Sequence, residues 1–254
     1  MASRGQLRLV APSDHGELEL GTALLRRFLQ VCNGETLELT FLAQRRISVA
    51  YPTNQAEHIR LLREGQRLRG FNGAYQLLNG PMFTAVLHRY PLNQVVRAWN
   101  GRAQDRDVPL RRAIYIDIDP VRPSGISATD AEKRAAMDTR QRVEEFLVRE
   151  LGDPAALGRG DSGNGCFMLI AIQQPCLTIL NHTNHVQRFL KLLAREFDTK
   201  HVQIDTSVSN TARLMPCPGT WKRKGEDTRE RPHRRVYFSC HPTVRPVPFE
   251  AIVG

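Results

Sequence analysis

The chain has 254 residues, 41% hydrophobic and 24% charged, proportions that exclude a disordered or fibrous protein and allow one large domain or two modest lobes with a substantial core. Its 36 Lys+Arg stand against 26 Asp+Glu, a formal net charge of +10, and with only five lysines the excess is arginine. Guanidinium groups match phosphates bidentately, so a nucleic acid or nucleotide is the partner such a surface predicts. No apolar run approaches 18 residues, and Met1-Ala2-Ser3-Arg4-Gly5-Gln6 lacks the apolar core of a signal peptide. The five cysteines (Cys32, Cys166, Cys176, Cys217, Cys240) are widely spaced and form no C-x-x-C pair, which reads as reduced thiols in a cytoplasmic protein without membrane attachment.

In chain order, 18–31 places Leu20, Ala23, Leu24, Phe28 and Val31 at roughly helical spacing, and Asn33-Gly34 stops the run. Residues 36–42 and 47–51 read as strands, 54–65 as a helix, and 74–79 as a strand closed by Gly80-Pro81. Helical periodicity covers 82–100, and the arginine-rich stretch 101–112 reads as a loop. Asn79 suits turn chemistry and ligand binding about equally. Residues 1–110 are thus expected to form an N-terminal α/β lobe, and 111–254 a second module. A strand over 114–119 and a loop over 120–125 lead to the capping box Thr129-x-x-Glu132, which opens a helix to about 151. Its stripe is Ala136, Val143, Phe146, Leu147 and Leu151, and Gly152-Asp153-Pro154 ends it. An apolar strand follows over 166–172, then an amphipathic helix near 180–197, then a short strand over 201–205. The order β-α-β-α-β suggests a helix-covered sheet close to a split βαβ arrangement.

The strand Ile114-Tyr115-Ile116-Asp117-Ile118-Asp119 carries the first chemical signal. Side chains at i and i+2 share a face, with Cα atoms roughly 6.5–7 Å apart. Two carboxylates there repel each other unless a cation lies between them, and a hard divalent ion takes oxygen ligands. Ser162-Gly163-Asn164-Gly165 can bend so that successive N–H groups point at an anion. Asp205 ends a neighbouring strand. Arg213 and the run Lys222-Arg223-Lys224 follow, and 222–235 holds seven Lys/Arg against three acidic residues: a solvated basic loop, or a phosphate contact. Together these are the parts of a two-metal phosphoryl-transfer site. A nucleotide-sugar glycosyltransferase would explain Asp117-x-Asp119 but neither Asp205 nor the basic loop.

The ordered set Asp117-x-Asp119, Ser162-Gly163-Asn164-Gly165, Ile204-Asp205, Arg213 and Gly219-Thr220-x-Lys222-x-Lys224 resembles the archaeo-eukaryotic primase superfamily, most closely its bacterial, phage and plasmid primase–polymerases. The motif-bearing likeness spans about 112–236. It implies an α+β fold, a two-lobed core whose second module is RRM-like. It also implies DNA primase or polymerase activity on single-stranded or primed DNA, using NTPs or dNTPs. By the same likeness Asp117, Asp119 and Asp205 bind Mg²⁺ or Mn²⁺ and are catalytic. Ser162, Gly163, Asn164 and Gly165 with Arg213, Lys222 and Lys224 hold the nucleotide. No Walker A pattern is present, so a helicase partner would be a separate chain. The family pattern has a histidine where this chain has Phe167, which cannot donate a hydrogen bond. That departure supports an alternative, a degenerate DNA- or nucleotide-binding replication accessory.

Overall fold

The computed structural model describes residues 14–31, 35–44, 46–79, 88–174, 176–177 and 182–253. The first elements are α1 (Asp14–Phe28), β1 (Leu39–Ala43), β2 (Arg46–Ala50), α2 (Gln55–Gly65), β3 (Phe71–Leu77) and β4 (Val96–Arg97). Then come β5 (Ala113–Pro120), α3 (Asp130–Leu151), β6 (Leu157–Asp161), β7 (Cys166–Ala171), α4 (His182–Phe197) and β8 (Val202–Ile204). The chain continues with β9 (Leu214–Pro216), β10 (Trp221–Lys222), β11 (Arg234–Arg235), β12 (Tyr237–Cys240) and α5 (Glu250–Val253). One five-stranded sheet has the order β4-β2-β1-β3-β9, a second has the order β12-β6-β7-β5-β8, and β10 pairs with β11. The protein is α+β, with antiparallel pairing in both sheets.

The second sheet follows from the order β5-α3-β6-β7-α4-β8, a β-α-β-β-α-β unit of the ferredoxin-like kind. The strand β6 is absent from the sequence expectation because Leu157-Gly158-Arg159-Gly160-Asp161 carries no strand signal of its own. Its glycines have a packing cause. A Cβ on Gly158 would stand 2.7 Å from the Phe238 ring, and one on Gly160 would stand 2.0 Å from the Phe167 ring. The central strand β5 is buried between β7 and β8, and Ile114, Ile116 and Ile118 are fully buried beneath the helical layer. The helix α3 starts as expected: Thr129 accepts from the Glu132 amide, and Glu132 reaches back to the Thr129 amide. Gly152 ends it at φ 70°. Within the expected stripe Ala136, Val143 and Leu147 are buried, whereas Phe146 and Leu151 are only partly covered.

The two sheets exchange elements. The early helix α1 packs on β12 of the second sheet, with the Phe28 and Phe238 rings edge to face at 5.5 Å. The late strand β9 completes the first sheet beside β3. The buried face of α1 is Leu18, Leu25 and Phe28, and Leu20 is exposed, a rotation from the expected stripe. The helix expected over 82–100 is not formed after residue 88, where turns lead into β4; its start, 82–87, lies outside the described residues, as do 180–181 of the expected second helix. Pairing of β4 with β2 satisfies backbone groups that helical periodicity alone cannot foresee.

Candidate active site

The carboxylates of Asp117 and Asp119 leave the face of β5 that looks toward the first sheet, and both line a cavity of about 170 Å³. Ser162, Asn164, Tyr75, Arg213, Lys222 and Lys224 line the same cavity. One wall is therefore acidic and the opposite wall basic. A larger apolar cavity of about 440 Å³ lies beside α1 and β12, but it shares no lining residue with this one. Chemistry, not size, marks the site.

Asp117 accepts from the Tyr115 hydroxyl at 3.2 Å. Burial, then the neighbouring charges of Asp119 and Asp205, push its carboxyl up to about 8. On the basic side Lys222 is buried, with its ammonium 4.0 Å from the centre of the Tyr75 ring. Burial and the charge of Lys224 bring it down to about 7. Arg213 is oriented by Asn210 and the Ser207 carbonyl.

Asp205 occupies a different position. Its amide donates to the Asp117 carbonyl at 3.0 Å, so the backbones touch, but its exposed carboxylate accepts from the Ser207 amide and is not part of the cavity lining. Among the described residues, no three His, Cys, Asp or Glu side chains stand close enough to hold a metal ion. The donor chemistry of Asp117 and Asp119, two carboxylates on one cavity, fits a hard divalent cation. The third expected ligand, Asp205, engages the Ser207 amide through one carboxylate oxygen, while its charge still acts on Asp117.

The glycine loop also differs from its expectation. The Ser162 amide donates to the Gly165 carbonyl, the Gly163 amide to Asp161, and the Gly165 amide to the Ser162 hydroxyl. These three N–H groups close a tight hairpin, with Gly163 at φ 87°, so they do not form an open anion nest. Asn164 accepts from the Ala128 amide at 2.8 Å and ties the loop to the start of α3. Gly165 permits close approach: a Cβ there would lie 2.5 Å from Asp119 Oδ1 and 2.6 Å from the Ile118 carbonyl oxygen.

Phe167 is the cross-strand partner of Asp117 and is fully buried. Its ring lies between Tyr115 at 5.5 Å and Phe238 at 6.3 Å, the latter stacked. As the residue opposite Asp117 in the antiparallel pair, it lies beside Asp117 on the same face of the sheet.

Much of the basic run is committed elsewhere. Arg231 pairs with Glu132, and Arg234 with Asp130, fastening 222–235 to the start of α3. Lys222 and Lys224 face the cavity. Asn79 is fully buried. Its side chain accepts from the amides of Arg112 and Ala113 and donates to the Thr211 carbonyl, joining the end of β3 to the start of β5. Sequence reasoning missed Tyr75 as the ring under Lys222; its place in β3, opposite Pro216 of β9, is set by register.

The shifted groups give opposite proton linkage. At pH 7 the empty site keeps a proton on Asp117, so binding of Mn²⁺ is expected to expel about one proton. At pH 8 Lys222 is largely neutral, so binding of a triphosphate without metal is expected to take up close to one proton. Calorimetry in buffers of different ionisation enthalpy reads both signs, and heats independent of the buffer would contradict the assignment.

No family model matches the chain, and no curated protein does. Among solved structures, it is similar to the AEP domain of the cyanophage S-2L primase-polymerase (PrimPol), with a TM-score of 0.52 and 12% sequence identity over 92% of this chain and 97% of that one. The likeness is one of fold, an α+β core laid out like that of this AEP domain. No helix among the described residues is long and apolar enough to cross a membrane.

Proposed function

We propose that this chain is a template-directed nucleotidyltransferase, a DNA primase or polymerase that uses NTPs or dNTPs on single-stranded or primed DNA. The observation that carries the reading is one cavity with Asp117 and Asp119 on one wall and Arg213, Lys222 and Lys224 on the other. A triphosphate fits that polarity, its negative oxygens toward the basic wall and its α-phosphorus toward the carboxylates. Lys222, desolvated over Tyr75, has no hydrogen bond or ion pair among the described residues and is available to the phosphates. The 3′-oxygen of the growing strand bonds to the α-phosphorus as the bond to the β-phosphate oxygen breaks. The hydroxyl proton passes to solvent, and the basic wall holds the departing pyrophosphate. Asp117 and Asp119 would hold Mg²⁺ or Mn²⁺, joined by Asp205 through the carboxylate oxygen that the Ser207 amide does not engage; the ion supplies Lewis-acid charge stabilisation at the reacting phosphate. Ser162 and Asn164 shape the cavity edge, and Gly163 and Gly165 allow their loop to lie against β5.

The test is primer extension and de novo synthesis on single-stranded DNA with Mg²⁺ or Mn²⁺, comparing NTPs with dNTPs. The alternative, a non-catalytic module that binds DNA or nucleotide, is favoured by the burial of Phe167. It requires binding without synthesis, and wild-type synthesis overturns it. On the catalytic reading, Phe167→His is expected to add a donor beside Asp117 and raise nucleotide affinity roughly tenfold, the size of one charge-assisted contact. Unchanged affinity in a folded variant would count against a phosphate contact at that position.

A further inference from the structure

Beside the catalytic cavity lies a second cavity of about 290 Å³ that shares Tyr75, Arg213 and Leu214 with it. Leu42 and Ala212 extend its apolar lining, and Arg102 enters it as a second guanidinium. Arg102 belongs to a turn at 98–103 that the fold fastens at several points. The Ala98 amide donates to the Ile47 carbonyl, the Asn100 amide donates to the Tyr90 hydroxyl, and that hydroxyl donates to the Gly101 carbonyl. The Ala103 amide donates to the buried Glu38 carboxylate, which also lies 3.8 Å from the Arg102 guanidinium.

The same turn displays Trp99. Its amide bonds back to the Arg97 carbonyl, and its ring packs edge to face on Tyr90 at 4.9 Å. Trp99 is nevertheless 59% exposed, and Ile47, whose carbonyl accepts from the Ala98 amide, is exposed as well. Ile47 pairs with Leu42, so the two side chains share a face of the first sheet, and Leu42 lines the second cavity. The sheet face thus continues from the cavity to the edge that holds the turn. Arg46 and Arg97, paired with Ala43 and Ser48, are exposed on the opposite face of the same edge.

We propose that this face is a binding track for single-stranded nucleic acid, in which Trp99 stacks an unpaired base and Arg102 holds an adjoining backbone phosphate. A rigidly mounted, solvent-facing indole with a guanidinium on the same turn is the combination that single strands require, because every base offers a π face and the backbone is anionic. A duplex hides its base faces. An acidic protein partner could use the arginines but has no need of a stacking ring beside a phosphate-sized basic cavity. The inference rests on the proposed function for the direction of the strand, toward Asp117 and Asp119, and not for the binding itself.

The chain has two tryptophans, Trp99 and Trp221, so Trp221→Phe leaves Trp99 as sole reporter. The experiment titrates the full chain, free of metal and nucleotide, with oligo(dT) about 20 nucleotides long, and with a duplex of equal length. The expected result is salt-sensitive quenching of Trp99 by the single strand and weak quenching by the duplex. Affinity should fall roughly 5- to 100-fold in Trp99→Ala and recover largely in Trp99→Phe. Absence of oligonucleotide binding, equal quenching by the duplex, or unaltered affinity in Trp99→Ala would each overturn the proposal. Extension assays separate the two claims. Oligonucleotide binding through Trp99 with no synthesis refutes the proposed function alone, and synthesis with a template KM unmoved by Trp99→Ala refutes the track alone.

Discussion

Asp117→Asn is expected to abolish primer extension while making the metal-free protein more stable at pH 8. The carboxyl is pushed up to about 8 by burial and by its acidic neighbours. Its folded value lies above the unfolded one, so its contribution to stability is fully present below the ordinary carboxylate range and is lost as pH rises toward 8. The amide keeps the shape and removes that penalty, worth roughly 1–2 kcal/mol at a functional site of this kind, or a few degrees of Tm for a chain of this length. Catalysis should fall at least about 10³-fold, since a cation ligand supports several kcal/mol of transition-state charge stabilisation. Thermal melts from pH 5 to 8 with and without Mn²⁺, alongside extension assays, check both halves. The gap between the variant and wild type should narrow steadily as pH falls from 8 to 5. A variant less stable than wild type at pH 8 without metal would show that Asp117 is a structural carboxylate.

Gly165→Ala should be nearly as damaging from outside the acidic pair. The added Cβ would meet Asp119 Oδ1 at 2.5 Å and the Ile118 carbonyl oxygen at 2.6 Å. The carboxylate can rotate away, but the carbonyl belongs to the central strand, so the hairpin must lift off β5. Overpacking of this sort costs about 1–3 kcal/mol. A shift of Asp119 by about 1 Å would lower turnover on the order of 100-fold even in protein that remains folded. Circular dichroism melts and extension at a temperature where both proteins are folded separate the two effects. Wild-type stability together with wild-type turnover would mean that the loop does not position Asp119.

The acidic strand was legible because period-2 alternation states outright that Asp117 and Asp119 share a face, and the structure puts both in one cavity. The α3 cap was legible for a similar reason, as a local pattern closed within four residues. What lay beyond reach was decided by distant partners. The fate of Arg231 and Arg234 depends on Glu132 and Asp130, about a hundred positions earlier. Asn79 is explained by Arg112, Ala113 and Thr211, none of them near it in sequence. Gly158 and Gly160 carry no strand signal of their own, and only the rings of Phe238 and Phe167 explain why no side chain fits there. The glycine loop and Asp205 show the converse limit. Their residue types suit an anion nest and a metal ligand, but the hydrogen bonds that the hairpin and the turn after β8 make with them follow only from the folded backbone.

These observations converge on one question, whether the cavity transfers nucleotides. The direct measurement is extension of a labelled primer on a DNA template by the wild-type chain with Mn²⁺ or Mg²⁺, beside Asp117→Asn/Asp119→Asn. The expected result is metal-dependent, template-directed addition by the wild type and none by the double variant. Absence of addition by folded wild-type protein with either metal and with both NTPs and dNTPs, or equal addition by the double variant, would contradict the account.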